Sequence, residues 1–224
     1  MTMESRILMV VTSHRQMGDK ETGIWLSEFA EPYDLFRAEG YDVTVASIAG
    51  GKAPVDPRSI DAEKEKKWAD ALAALEATVP VDQVSSDGYD AIFLPGGHGT
   101  MFDLPGNAKL QTLIREFFES GRVVAAVCHG PAGLVGATLS TGEPLVKGRR
   151  VTAFTDEEER AAGLDKAVPF LLETRLRELG ADFVAAAKWA NHVETDGRLV
   201  TGQNPQSGES AARKVVELLK QPVA

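Results

Sequence analysis

Four short, unbroken apolar runs constrain this chain more than any other feature. They are Ile7-Leu8-Met9-Val10-Val11, Val43-Thr44-Val45-Ala46, Ala91-Ile92-Phe93-Leu94 and Val123-Val124-Ala125-Ala126-Val127. A strand with one wet face alternates apolar and polar residues, whereas a strand covered on both faces does not. Each run therefore predicts a buried parallel strand, and segments of helical pattern separate them. Pro32 predicts the first turn of a helix through Phe36, stopped by Gly40. Asp61 to Ala77 is rich in Ala, Glu, Lys and Leu and predicts one surface helix. Asn107 suits an N-cap ahead of Leu110, Leu113, Ile114, Phe117 and Phe118, an i, i+3, i+4, i+7, i+8 stripe ending at Gly121.

Strand alternating with helix implies a flavodoxin-like, doubly wound α/β fold, with a mostly parallel sheet and helices on both faces. The second half adds a strand over Val151-Thr152-Ala153-Phe154, a short acidic helix from near Thr155 and a helix from about Pro169 to Leu179. Asp196-Gly197 between apolar residues predicts a small β-hairpin over His192 to Thr201. A final amphipathic helix follows Ser207. No repeat or linker interrupts the 224 residues, so 1–224 is expected to be a single domain.

Composition narrows the partners. A net charge of −9 argues against nucleic acid and against an anionic membrane surface, both of which need basic patches. The lone cysteine excludes an intrachain disulfide and a CxxC pair, and a reducing, cytoplasmic compartment is the expectation. The apolar run at Ile7–Val11 is too short for a signal peptide's apolar stretch or a membrane span.

The chemistry concentrates in Ala125-Ala126-Val127-Cys128-His129-Gly130-Pro131-Ala132-Gly133. An apolar strand ends at the only cysteine, and small residues with a proline open a helix behind it, the layout of a nucleophile elbow. A helix N-terminus beneath Cys128 favours thiolate, and the adjacent His129 can take the proton. Without that context a single cysteine reads as an inert, buried small side chain. Leu94-Pro95-Gly96-Gly97-His98-Gly99-Thr100 also follows a strand directly. Glycines there turn N–H groups toward a ligand, so Gly97, with the N–H of His129, suits an oxyanion hole. Gly130 and His98 are further candidates for that oxyanion and substrate region. Asp156-Glu157-Glu158-Glu159 offers carboxylates to orient a base, with the choice among them open from spacing alone. A metal held by Cys128, His129 and a carboxylate is disfavoured, because adjacent residues rarely suit one tetrahedral ion. His192-Val193-Glu194 has the spacing of an amidotransferase pair, but it precedes a hairpin, and His129 already lies beside the sulfur.

Taken together, these segments resemble the ThiJ/PfpI superfamily, related to class I glutamine amidotransferases, and within it the glyoxalase III-like, stress-chaperone-related subgroup. The resemblance runs through Gly23-Ile24-Trp25-Leu26-Ser27-Glu28 and Gly50-Gly51-Lys52-Ala53-Pro54-Val55-Asp56-Pro57. It continues through the glycine loop, the elbow and Phe154-Thr155-Asp156-Glu157-Glu158-Glu159, ending at Thr201-Gly202-Gln203-Asn204-Pro205. It implies that Glu28 lies against the cysteine sulfur as acid or base. It also implies that Glu159 is the acidic member of a Cys-His-acid triad, with Asp156 as the alternative. The implied activity is a glutathione-independent conversion of methylglyoxal, a small-molecule aldehyde, to lactate. It needs no cofactor or metal, because the redox change is internal to the substrate. A homodimer is implied as well. The alternatives are a cysteine hydrolase or deglycase of the same superfamily and a stress-response holdase chaperone.

Overall fold

The computed structural model describes residues 5–221. Strands β1 (Arg6–Val11), β2 (Asp42–Ser47), β3 (Val79–Pro80), β4 (Ala91–Leu94), β5 (Val123–Val127), β6 (Val193–Asp196) and β7 (Leu199–Gly202) form a seven-stranded sheet. Its order is β6-β7-β5-β4-β1-β2-β3, and every neighbouring pair is parallel except the β6–β7 hairpin. The four apolar runs occupy β1, β2, β4 and β5. Strand order reverses between β1 and β4, the arrangement that opens a crevice beyond the carboxyl ends of the strands.

Alternation along the strands divides the interior in two. Leu8, Val10, Ile92, Leu94, Val124 and Ala126 face one core, closed by helix α2 (Ala108–Glu119). Ile7, Met9, Val11, Ala91, Phe93, Val123, Ala125 and Val127 face the other. That second core is closed by α1 (Leu26–Ala38) and by the last helix, Gly208–Leu219, which pack against each other. Asn107 caps α2 by accepting from the Leu110 N–H at 2.8 Å. The hairpin turns at Asp196-Gly197 as its sequence predicts, with Gly197 at φ 59.

Four boundaries differ from the sequence expectations, the first two for a packing reason. Pro32 lies inside α1 rather than in its first turn. The helix begins at Leu26, whose N–H donates to Ser59 Oγ at 3.0 Å. It persists past the proline because Leu26, Phe29, Ala30, Tyr33 and Phe36 are all buried on one side, which offsets the missing N–H. The segment 61–77 is two helices, Ala62–Lys67 and Ala69–Leu75, broken where Trp68 (φ −113, ψ 36) turns its indole into the second core. Only Arg150–Val151 is a strand within 151–154; it pairs with Asp182–Phe183 outside the main sheet. The chain then passes beneath the elbow, where the Phe154 N–H donates to the Cys128 carbonyl at 2.8 Å. The helix expected over 169–179 is confined to Leu172–Glu178.

Candidate active site

Strand β5 delivers Cys128 to the carboxyl end of the sheet in a left-handed conformation, φ 60, which few non-glycine residues adopt. The physical effect is a change of face. Continued alternation would point residue 128 with Val124 and Ala126; instead its side chain joins Val127 on the α1 side. The turn is tight. A Cβ at Gly130 would lie 2.1 Å from the Leu94 carbonyl oxygen, so only glycine lets the elbow pass the end of β4. The helix behind it, α3 (Ala132–Val135), is a single turn.

Cys128 is only 3% exposed and lies in a cavity of about 100 Å³. Its lining includes Glu28, Arg58, Gly97, His98 and His129, together with Trp25, Phe154, Trp189 and Pro205. This volume is far below the roughly 300–1,000 Å³ of pockets for drug-sized ligands, which restricts the cavity to small molecules.

Cys128 Sγ lies 3.3 Å from His129 Nδ1, and His129 Nε2 lies 2.6 Å from Glu159 Oε2. The other oxygen, Glu159 Oε1, lies 2.7 Å from His98 Nε2. His98 Nδ1 faces the Arg58 guanidinium at 3.5 Å. Arginine only donates, so Nδ1 of His98 is its acceptor and Nε2 carries the proton that goes to Glu159. His98 therefore braces the carboxylate from the second side while also lining the cavity, and the bracing contact is one that sequence reasoning did not anticipate. Arg58 is in turn held by buried Asp56, at 2.9 and 2.6 Å. The pairing follows from local geometry, because Asp56 also caps the 3₁₀ turn Pro57–Ser59 through the Arg58 N–H.

The four acids after Thr155 separate completely. Helix α4 (Asp156–Ala161) starts with a capping box in which Thr155 and Glu158 satisfy each other's N–H groups. Asp156 accepts from Thr174, and Glu157 pairs with Lys188 near the surface. Buried Glu158 Oε1 accepts from the Trp189 N–H and from the side chains of Gln203 and Asn204. Glu159 alone reaches the histidines.

Glu28 comes from the first turn of α1 and is completely buried. Neither carboxyl oxygen has a full hydrogen-bond partner among the described residues. Burial raises its pKa to about 8, and the nearby Cys128 thiol and the Gly96 N–H only partly offset this. A Cβ at Gly96 would meet Glu28 Oε2 at 2.3 Å, so the glycine loop and this carboxyl share one space. Burial alone would raise Glu159 too, but His129 and His98 hold it well below the usual carboxylate range. His98 is depressed to about 4 by burial and by the neighbouring His129, and is neutral at pH 7.

The thiol departs from the sequence expectation. Burial pushes the Cys128 pKa well above the ordinary range, and Glu28 pushes it further. A one-turn helix offers too little dipole to reverse that, so the resting sulfur is a thiol.

The N–H groups of Gly97 and His129 donate to no other group among the described residues. The Gly130 N–H is already engaged by the Val127 carbonyl at 2.8 Å and is unavailable to a ligand. His192 and Glu194 lie 3.2 Å from one another and line no part of this cavity. His98, His129 and Glu159 offer ligand atoms within 4.8 Å. Their N–O contacts of 2.6 and 2.7 Å are those of direct hydrogen bonds, shorter than the roughly 3.3 Å that two ligands on a tetrahedral zinc would keep.

Comparison with known proteins assigns this arrangement to a lineage, since residues 21–218 match DJ-1/PfpI. The chain belongs to the DJ-1/PfpI family. Among family members, it is 34% identical to the glutathione-independent glyoxalase HSP31 of Saccharomyces cerevisiae, over 96% of this chain and 98% of that one. The crystal structure of glyoxalase III from Candida albicans superposes with a TM-score of 0.87 at 32% identity, covering 96% and 97% of the two chains. The rapid encystment protein of 24 kDa from Francisella tularensis superposes at 0.91 with 35% identity, covering 96% and 99%. Among the described residues, no helix is long and apolar enough to cross a membrane.

Proposed function

We propose that this DJ-1/PfpI protein is a glutathione-independent glyoxalase that converts methylglyoxal to lactate at Cys128. The observation that carries the reading is the run of contacts from Cys128 Sγ through His129 to Glu159, with the buried Glu28 carboxyl lining the same small cavity. Glu159 accepts from His129 Nε2, which leaves Nδ1 as the free base facing the sulfur. The named activities of the yeast and Candida relatives agree with this chemistry.

The proton account closes. As sulfur adds to the aldehyde carbon, the thiol proton passes to His129 Nδ1 and Glu28 protonates the aldehyde oxygen, giving a hemithioacetal and a Glu28 carboxylate. The N–H groups of Gly97 and His129 stabilise the developing oxyanion. Glu28 then removes the proton from the former aldehyde carbon while His129 protonates the ketone oxygen, and an enediol forms. Glu28 returns a proton to the second carbon and His129 takes the first hydroxyl's proton, leaving an enzyme-bound thioester. Water attacks it, giving one proton to Glu28; the departing sulfur recovers a proton from His129, and lactic acid leaves, releasing its proton to solvent as lactate. A carboxyl group with a pKa of about 8 suits this role because both of its states are accessible near neutral pH. No external oxidant or reductant enters.

The test is lactate formation from methylglyoxal without added thiol, with glyoxal, glutamine and an aryl amide as alternatives. Wild type should produce lactate and Cys128→Ala, folded by circular dichroism, should produce none. Wild-type turnover of the amide without lactate formation would instead favour the hydrolase reading. The same proposal includes a homodimer and residence in the cytoplasm, checked by sedimentation and by cell fractionation.

A further inference from the structure

We propose that Trp189 sets the substrate size limit, by forming with Trp25 and Pro205 the neck through which an aldehyde reaches Cys128. These three residues line both the inner cavity of about 100 Å³ and an outer groove of about 660 Å³, so the two spaces meet at them. Everything entering from the groove passes between two indoles and a proline ring.

The position of Trp189 is built rather than incidental. Its backbone is left-handed at φ 64, a conformation disfavoured for a bulky residue, so surrounding contacts must hold it. Its N–H donates to buried Glu158 Oε1 at 2.8 Å. That oxygen is fixed in turn by Gln203 and Asn204, at 3.1 and 2.9 Å. The indole lies 5.7 Å from the Phe154 ring, which lies 4.4 Å from the His129 imidazole. Even so, Trp189 remains 40% exposed, an uncommon state for so large an apolar side chain. A strained, exposed tryptophan anchored by a buried carboxylate at the mouth of a cavity has no evident packing purpose. It does have a steric one. The class excluded is 2-oxoaldehydes bearing an aryl or branched substituent; the class admitted is the three-carbon dicarbonyl.

The substrate half of this inference rests on the glyoxalase reading, whereas the steric half does not. Cys128 is the only cysteine, so thiol labelling of the whole protein reports on this cavity alone. Trp189→Gly accepts the left-handed backbone and removes the indole; Trp189→Asn also tolerates that backbone and serves if the glycine variant does not fold. Labelling would compare iodoacetamide with N-phenylmaleimide, and turnover would compare methylglyoxal with phenylglyoxal. In the variant, the rate ratio of bulky to small reagent should rise about tenfold or more, and the kcat/KM ratio of phenylglyoxal to methylglyoxal should rise with it. Both ratios within twofold of wild type in a folded variant would overturn the neck. Wild type that labels selectively but makes no lactate would remove the glyoxalase reading and leave the neck standing.

Discussion

Two carboxylic acids flank Cys128, and the protein treats them in opposite ways. Glu159, on α4, receives a proton donor on each oxygen and stays ionised far below the usual range. Glu28, on α1, receives no full hydrogen bond and is held protonated up to about pH 8. The residue type is the same, so the difference lies wholly in what the fold supplies around it. On one side are two imidazoles and an arginine; on the other are a close-packed helix face and a glycine loop. Separation of two acids into a permanent anion and a proton carrier is the condition for acid–base work at neutral pH. The lesson is that the functional contrast is made by neighbours, not by the carboxyl groups themselves.

Breaking the ionised side should produce the larger loss. Glu159→Gln removes the charge and leaves one acceptor oxygen for two imidazole donors, so the His129 tautomer is no longer fixed, and kcat for lactate formation should fall by about 10³–10⁴. Steady-state turnover measures this, with circular dichroism to establish folding. Breaking the protonated side comes next. Glu28→Gln should lower kcat by about 10²–10³, as expected for loss of a general acid–base group.

That same substitution should alter stability with a definite sign. Because the folded pKa of Glu28 lies above the unfolded value, the native state binds the extra proton between about pH 4.5 and 8. Wild-type stability therefore falls as pH rises through that window, since the unfolded chain has already released its proton. The stability of Glu28→Gln relative to wild type, followed by its melting temperature, should rise across the window and level off above it, by an amount on the order of 5 kcal/mol. A flat difference from pH 5 to 9 would contradict a buried, protonated Glu28. Glu159 should behave oppositely. Its depressed folded pKa contributes stability that is present above about pH 4.5 and disappears as pH falls. The smallest expected effect belongs to His98→Gln, which keeps one donor to Glu159 and should lower kcat about tenfold while leaving KM for methylglyoxal within twofold.

Much of this comparison was legible in the sequence, but not its most informative part. Strands β1, β4 and β5 could be read because burial on both faces leaves continuous apolar runs, a signal carried by each segment alone, and the half-buried β2 followed from its β-branched Val43-Thr44-Val45. The elbow could be read for a related reason, since an apolar strand ending at Cys128 with Gly130 behind it is local. The partner of His98 could not. Whether an imidazole meets substrate or Glu159 depends on a contact spanning 61 residues. Glu159 separated from Asp156 only through the family resemblance, because all four acids fit a helix start equally well; the helix periodicity then sends each to a different neighbour. Arg58 and Trp189 were not legible either. The guanidinium of Arg58 meets His98 across 40 residues, and nothing local marks residue 189 as left-handed. The misplaced start of α1 and the break at Trp68 have one cause: burial of aromatic side chains in the second core overrode the punctuation expected from proline and from helix propensity.

The rims of the sheet carry a further consequence. One outer strand, β3, is two residues long and ends in Pro80, which has no N–H to offer. The opposite outer strand, β6, is four residues long and lies beside Arg150, whose N–H is taken by Asp196 and whose guanidinium meets Glu194. Neither border is a good template for another chain's backbone. Copies of this protein that associate would therefore do so through helices and loops, and the central ladder of hydrogen bonds would remain private to each subunit.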